Sequence, residues 1–106
     1  MSIPNLSPRQ RQHLKALAHP LSPVVQIGNA GVTEAVVRVV GETLARHELI
    51  KIKLPKLDDA QAREDMAEAI TRASKAALVQ LLGRVLVLYL PRGKDLPDKP
   101  RIQLPQ

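Results

Sequence analysis

The chain has no cysteine in 106 residues, which excludes a disulfide framework, a thiolate metal site and a cysteine nucleophile. Aromatic side chains are almost as scarce, with Tyr89 the only one. Modules that read single strands by stacking bases on several aromatic rings are therefore excluded, and any core must be aliphatic. The longest apolar run, residues 85–90, is far short of the roughly 20 residues that a membrane-spanning helix needs. The opening Met1-Ser2-Ile3-Pro4-Asn5 lacks the basic-then-apolar order of a secretory signal. These absences predict a soluble, cytoplasmic protein with no membrane partner.

Catalytic equipment is also thin. There is no Gly-x-Gly-x-x-Gly and no Lys-Ser/Thr of a P-loop. His13, His19 and His47 fall at no helical i, i+4 metal spacing and have no accompanying carboxylate cluster. Ser7 and Thr33 read as helix caps, and no nucleophile, base and orienting group can be assembled. The expectation is a non-enzyme with no metal, no cofactor and no small-molecule substrate.

What the chain does have is positive charge. Sixteen Lys and Arg against ten Asp and Glu leave a formal +6, which favours an anionic partner such as nucleic acid. The charge is uneven. Residues 1–31 carry three basic side chains and no acidic one, whereas residues 58–76 carry five acidic against three basic. The third helix predicted below is thus the one acidic element, and is expected to face away from a polyanion.

The length suits a single domain over residues 1–92, followed by a proline-rich basic tail over 93–106. Ser7-Pro8-Arg9-Gln10 carries a cap, a first-turn proline and the glutamine of a capping box. Leu14, Leu17, Ala18 and Leu21 follow at helical spacing until Pro20 and Pro23 end the helix. Residues 24–27 read as a short strand. Thr33 caps a second helix to about His47; its valines favour strand, but Val36, Val40 and Leu44 recur at i, i+4, i+8. Residues 49–54 alternate, with Ile50, Ile52 and Leu54 facing one way and Lys51 and Lys53 the other. Asp58 or Asp59 starts a third helix to about Ala76, with Met66, Ile70, Ala73 and Ala77 on its apolar side.

Residues 77–82 and 85–90 flank Gly83-Arg84, whose leading glycine fits a type II′ hairpin turn. That turn predicts pairs Leu82–Val85, Gln80–Val87 and Leu78–Tyr89. The tail reads as extended or frayed, with a short edge contact at residues 102–104. The order helix-strand-helix-strand-helix-strand-strand predicts a mixed four-stranded α/β sheet packed with helices. Its strand-helix-strand unit should be parallel and right-handed, with the hairpin antiparallel.

The most informative stretch is Gly28-Asn29-Ala30-Gly31-Val32-Thr33, a Gly-x-x-Gly loop between the first strand and the second helix. Such glycines allow positive φ and close approach of backbone to a bulky ligand. The following helix aims unpaired N–H groups and its positive dipole end at the same place. The KH module clamps nucleic-acid backbone with a loop of this type. Tight turn geometry alone is an equally good reading of a lone Gly-x-x-Gly, and Lys51 and Lys53 could equally be a solvated strand face. Together with the charge, the loop predicts RNA binding. Gly28 and Gly31 permit approach, Asn29 hydrogen-bonds, and Lys51, Lys53, Lys15 and Arg11 attract phosphate without reading sequence. A DNA-binding architectural protein, a nucleotide-binding enzyme using the loop, and a purely protein-binding ribosome partner are the alternatives. A Gly31→Asp change is expected to remove RNA binding while the fold survives.

The run Gln12-His13-Leu14-Lys15-Ala16-Leu17-Ala18-His19-Pro20, followed by Pro23-Val24-Val25-Gln26-Ile27-Gly28-Asn29-Ala30-Gly31-Val32-Thr33-Glu34, closely resembles bacterial YhbY-like proteins. These are stand-alone members of the CRM (chloroplast RNA splicing and ribosome maturation) domain family. His47-Glu48-Leu49-Ile50-Lys51-Ile52-Lys53 and Gly83-Arg84-Val85-Leu86-Val87-Leu88-Tyr89 continue the resemblance, which covers about residues 6–92. It implies a fold similar to the C-terminal domain of bacterial translation initiation factor three. It also implies RNA binding through the 28–31 loop and adjacent basic surface, and association of a monomer with ribosomal RNA in precursors of the large subunit. Loops of the family often carry a basic residue between the glycines; Asn29 and Ala30 stand there in this chain.

Overall fold

The computed structural model describes residues 5–92, 97, 98 and 100–105. The elements follow in the expected order: α1 (Pro8–Ala18), β1 (Val25–Gln26), α2 (Glu34–His47), β2 (Leu49–Lys53), α3 (Ala60–Ser74), β3 (Ala77–Leu82) and β4 (Val85–Tyr89). One mixed sheet results, with strand order β1-β2-β4-β3. β1 runs parallel to β2, while β2–β4 and β3–β4 are antiparallel.

The helix starts have the chemistry anticipated for them. Ser7 Oγ accepts the Gln10 N–H at 3.1 Å, and Gln10 Oε1 accepts the Ser7 N–H at 3.0 Å, a complete capping box. Thr33 Oγ1 accepts from the Val36 N–H and Asp59 Oδ1 from the Ala62 N–H, satisfying donors that the first helical turn leaves orphaned. α3 ends on Lys75 in the left-handed conformation.

Each face of the sheet buries its own cluster. Val40 and Leu44 of α2 and Ala67 and Ile70 of α3 cover Ile50, Ile52, Leu86 and Leu88 on one side, with Val25 and Ile27 joining them. Leu14 and Ala18 of α1 cover Leu49, Val79, Val87 and Tyr89 on the other. β4 is therefore apolar along its whole length because both of its faces are covered. Three expected core positions lie outside: Leu17, Leu21 and Ala73 are exposed. α1 meets the sheet along the narrower stripe through Leu14 and Ala18, and α3 turns Ala67 inward instead of Ala73.

The hairpin begins as anticipated. Gly83 has φ +59 while Arg84 does not take a positive φ, as a type II′ turn requires. Leu82 faces Val85 and Gln80 faces Val87, but the register then shifts between Leu78 and Gln80, so Leu78 pairs with Leu88 and Ala77 with Tyr89. The expected Leu78–Tyr89 pair does not form. A bulge of this kind lets Val79 point into the α1-side cluster while Leu78 packs on the opposite one.

The tail makes contact at 102–104 as expected, and it does so by packing residues 100–105 on the α1 face. Ile102 and Leu104 lie against the cluster beside Leu6, and Gln10 Nε2 donates to the Pro105 carbonyl at 3.1 Å. Among the described residues this segment forms no strand, so the contact at 102–104 is made by side chains and a carboxylate. Residues 93–96, 99 and 106 of the tail lie outside the described residues.

That carboxylate is Glu48, 1% exposed, with φ +64 at the end of α2. It accepts the Arg92 N–H at 2.9 Å and the Ile102 N–H at 2.7 Å, and lies 3.6 Å from Arg92 Nη2. A buried charge so placed is tolerable because it is paired and hydrogen-bonded. Glu48→Ala is expected to cost about 3–5 kcal/mol in urea unfolding; a loss below about 1 kcal/mol would show that the clasp is not holding the tail.

Burial, and secondarily the Glu48 charge, raise the Tyr89 phenol above its ordinary value of 10.0. The raised value belongs to the folded state, so folding favours the neutral phenol. The stability this adds is complete below about pH 10 and is lost as pH climbs through the folded value. Tyr89→Phe is expected to flatten the alkaline decline in stability; superimposable pH profiles for the two chains would contradict it.

Candidate nucleic-acid interface

The 28–31 loop is a tight turn that leaves the carboxyl end of β1. The Gly31 N–H donates to the Gly28 carbonyl at 3.0 Å, and the Thr33 N–H to the Gly31 carbonyl at 3.1 Å. The two glycines serve different ends. Gly31 has φ +76, where a side chain is strained, and a Cβ there would come 3.7 Å from Met66 Cε. Gly28 does not take a positive φ, and a Cβ on it would meet nothing within 4 Å. Gly31 is thus needed to make the turn, whereas the space around the Gly28 backbone is open.

Gly28, Asn29, Ala30 and Val32 are exposed, with Gly31 and Thr33 half-buried. No other described segment covers the loop tip. In α2, Thr33 takes the Val36 N–H with its hydroxyl and the Val37 N–H with its carbonyl. Helix geometry gives the N–H groups of Glu34 and Ala35 no partner within the helix. They point out of the positive end of α2 beside the loop, with the exposed Glu34 carboxylate as the one opposing charge in that turn.

The predicted cations divide into two groups. Lys53 is the ladder partner of Gln26, and its carbonyl accepts the Ile27 N–H at 2.9 Å, so it stands at the base of the loop with its side chain exposed. Lys51 lies on the same sheet face two residues earlier. Its ammonium donates to the carbonyls of His19 at 3.2 Å and Leu21 at 2.9 Å, closing the end of α1. Lys15, in the last turn of α1, lies beside it. Arg11 is the outlier. Its guanidinium donates to the Leu78 carbonyl and, at 3.5 Å, to that of Val79, fastening α1 to the bulge at the far end of the sheet from the loop.

Other cations stand nearer the loop than Arg11. Arg84, at the hairpin tip, is tied to the carboxyl end of β2: the Leu54 N–H donates to its carbonyl at 2.7 Å, and its Nε donates to the Leu54 carbonyl at 3.3 Å. Lys56 is exposed three residues beyond Lys53. Half-buried Arg63 is one helical turn before Met66 on α3, and so on the side of α3 that meets Gly31. The signal was topological. Once β2 and β4 are read as antiparallel neighbours, the turn before β4 must stand beside the end of β2, where open α/β sheets gather ligands. Two acidic residues, Asp58 and Asp59, are also near this end, Asp59 being engaged as the α3 cap. The remaining α3 carboxylates Glu64, Asp65 and Glu68 are exposed along the helix.

The described residues hold no group of three His, Asp or Glu side chains able to bind a metal ion, and no helix among them is long and apolar enough to cross a membrane. The arrangement is that of a small α/β domain whose exposed Gly-x-x-Gly turn and helix amino end are flanked by cations. It is matched by the family model of the CRS1/YhbY (CRM) domain over residues 6–89, and the chain belongs to that family. An RNA-binding protein of Haemophilus influenzae is 44% identical over 101 residues, spanning 95% of this chain and 96% of the relative. The Bacillus subtilis protein named Probable RNA-binding protein YqeI is 33% identical over 100 residues, or 94% and 99% of the two chains. The solution structure of a Staphylococcus aureus protein, described as a candidate RNA-binding protein, superposes with a TM-score of 0.76 at 31% identity. That match covers 95% of this chain and all of the other.

The two glycines should separate in a stability experiment. Gly31→Ala is expected to lose about 1–2 kcal/mol to its left-handed backbone, and Gly28→Ala less than about 0.5 kcal/mol, in thermal or urea unfolding. Equal losses would contradict the division of roles.

Proposed function

We propose that this chain binds structured RNA through the 28–31 loop, the amino end of α2 and the cations at the carboxyl end of β2. One observation carries the reading: Ile27 and Lys53 are joined by a hydrogen bond, which puts the open turn and a basic strand end on the same edge of the molecule. RNA phosphate at the loop meets the main-chain N–H groups of the turn and of Glu34 and Ala35, and the Asn29 side chain. Lys53, Lys56 and Arg84 supply attraction that is indifferent to sequence. No basic residue stands between the glycines, so charge reaches the site from these neighbouring strand ends. The names of the relatives in H. influenzae and B. subtilis support RNA as the partner. Our reading extends to ribosomal RNA in precursors of the large subunit, bound by a monomer in the cytoplasm without catalysis.

Gly28→Asp tests the mechanism better than a change at Gly31, because it introduces a negative charge at the open position without forcing a strained φ. With a transcript of a large-subunit ribosomal RNA domain as probe, the substitution is expected to weaken binding by at least about tenfold while shifting Tm by less than about 2 °C. The parent chain should prefer that transcript to duplex DNA of equal length. Its log–log salt slope should be near −0.7 to −0.9 per phosphate contact, so roughly −2 to −4 in all. An unchanged affinity for Gly28→Asp removes the loop from the mechanism; a flat salt profile or a preference for DNA removes the reading.

A further inference from the structure

The α1 face of the sheet is only partly covered, and its uncovered part adjoins the loop. α1 ends at Ala18, above the row of the sheet where Lys51 of β2, Val87 of β4 and Gln80 of β3 are ladder neighbours. The next row toward the loop is Lys53, Val85 and Leu82. Leu82 is 70% exposed, a large aliphatic side chain left bare on a sheet that buries most of its others. Between this surface and the last turn of α1 is a cavity of about 170 Å³, walled by Lys15 and His19 and floored by Lys51, Gln80 and the aliphatic side chains of the two rows.

Three features limit what this cavity can hold. Its size equals about six waters at about 30 Å³ each, well below the roughly 300–1,000 Å³ of a site for a whole drug-sized molecule or cofactor. Its charged walls are cationic, with no carboxylate among the described lining residues. Two of the three donors on the Lys51 ammonium are bound to carbonyls of the α1 end, which fixes its position and leaves one donor for a ligand. The floor is flat and aliphatic, and Gln80 offers it both a donor and an acceptor.

We propose that the cavity seats the base of a single unpaired nucleotide of the bound RNA, with its ribose and phosphate at the mouth. The base lies on Val85 and Leu82, its edge meets the Gln80 amide, and its phosphate meets Lys15 and Lys51. This inference rests on the RNA reading and deepens it. Lys53, about 7 Å along the strand from Lys51, bridges the cavity to the loop, so a strand gripped at residues 28–31 continues over the α1 face. No Phe, Tyr or Trp lines the cavity; the aliphatic floor and the His19 imidazole in its wall are the surfaces that a base can meet. Unpaired rather than paired nucleotides fit, because a duplex cannot lower one base into so small a recess.

The test uses the full ¹⁵N-labelled chain titrated with AMP and UMP, and separately with ribose 5-phosphate, inorganic phosphate and a glutamate-rich peptide. The nucleoside monophosphates are expected to shift the Gln80 side-chain amide and the backbone amides of residues 80, 82 and 85 saturably in the millimolar range. Ribose 5-phosphate should bind at least about tenfold more weakly. Gln80→Leu should weaken AMP and UMP by about tenfold. Equal affinity for ribose 5-phosphate, saturation by the peptide but not by the nucleotides, or no saturable shift would each overturn the inference. Silent mononucleotides with intact binding of the ribosomal transcript sink this inference alone. Failure of the parent chain to bind that transcript sinks the RNA reading and this inference with it.

Discussion

Two parallel ladder pairs, Val25 with Ile52 and Gln26 with Lys53, determine where every candidate functional group lies. β1 is too short to persist by its own hydrogen bonds. It is held because Val25 and Ile27 are buried in the cluster beneath α2 and α3, and because the Val24 and Ile27 N–H groups donate to the carbonyls of Lys51 and Lys53. The chain leaving this clamp has no choice but to turn beside the end of β2, and α2 must begin there. Remove the clamp and Gly28 has no defined distance from any lysine. The proposed site is thus a consequence of apolar burial at least as much as of its polar residues.

The basic charge of the chain is not all available to a ligand. Arg11 holds α1 to the β3 bulge, Lys51 closes the end of α1, and the buried Arg92 faces Glu48 where the tail is clasped. These side chains build the fold with their donors, although their charges still add to the field outside. Lys53, Lys56 and Arg84 are exposed and cluster at one sheet end. The α3 carboxylates Glu64, Asp65 and Glu68 are exposed away from the buried Ala67 and Ile70, so the charge is unevenly spread over the surface. A formal charge of +6 alone would not have revealed it.

Much of the fold was legible because local rules and global packing agree in this chain. Ser7, Thr33 and Asp59 are strong caps, the alternation around Lys51 and Lys53 is clean, and Gly83-Arg84 is a turn with only one comfortable geometry. The bulge in β3 was not legible. Residues 77–82 are apolar at all but one position, so no alternation marks where the strand changes face. The tail was legible only in part: its prolines and charges resemble a solvated segment, and the Glu48 carboxylate that accepts the Ile102 N–H lies far away in the chain. In the candidate site, the glycines and Lys53 could be placed from sequence. The employment of Arg11 and Lys51 by backbone carbonyls could not, because those carbonyls belong to elements distant in the chain. The neighbourhood of Arg84 needed the strand order.

The proposed site and the structure meet at one edge, so the most direct measurement is photocrosslinking of the full chain to a large-subunit ribosomal RNA transcript, with modified peptides mapped by mass spectrometry. The account predicts crosslinks within residues 26–34 and 53–56 and at Arg84, and their loss as salt is raised. Crosslinks confined to the exposed acidic flank of α3, at Glu64, Asp65 and Glu68, would contradict it.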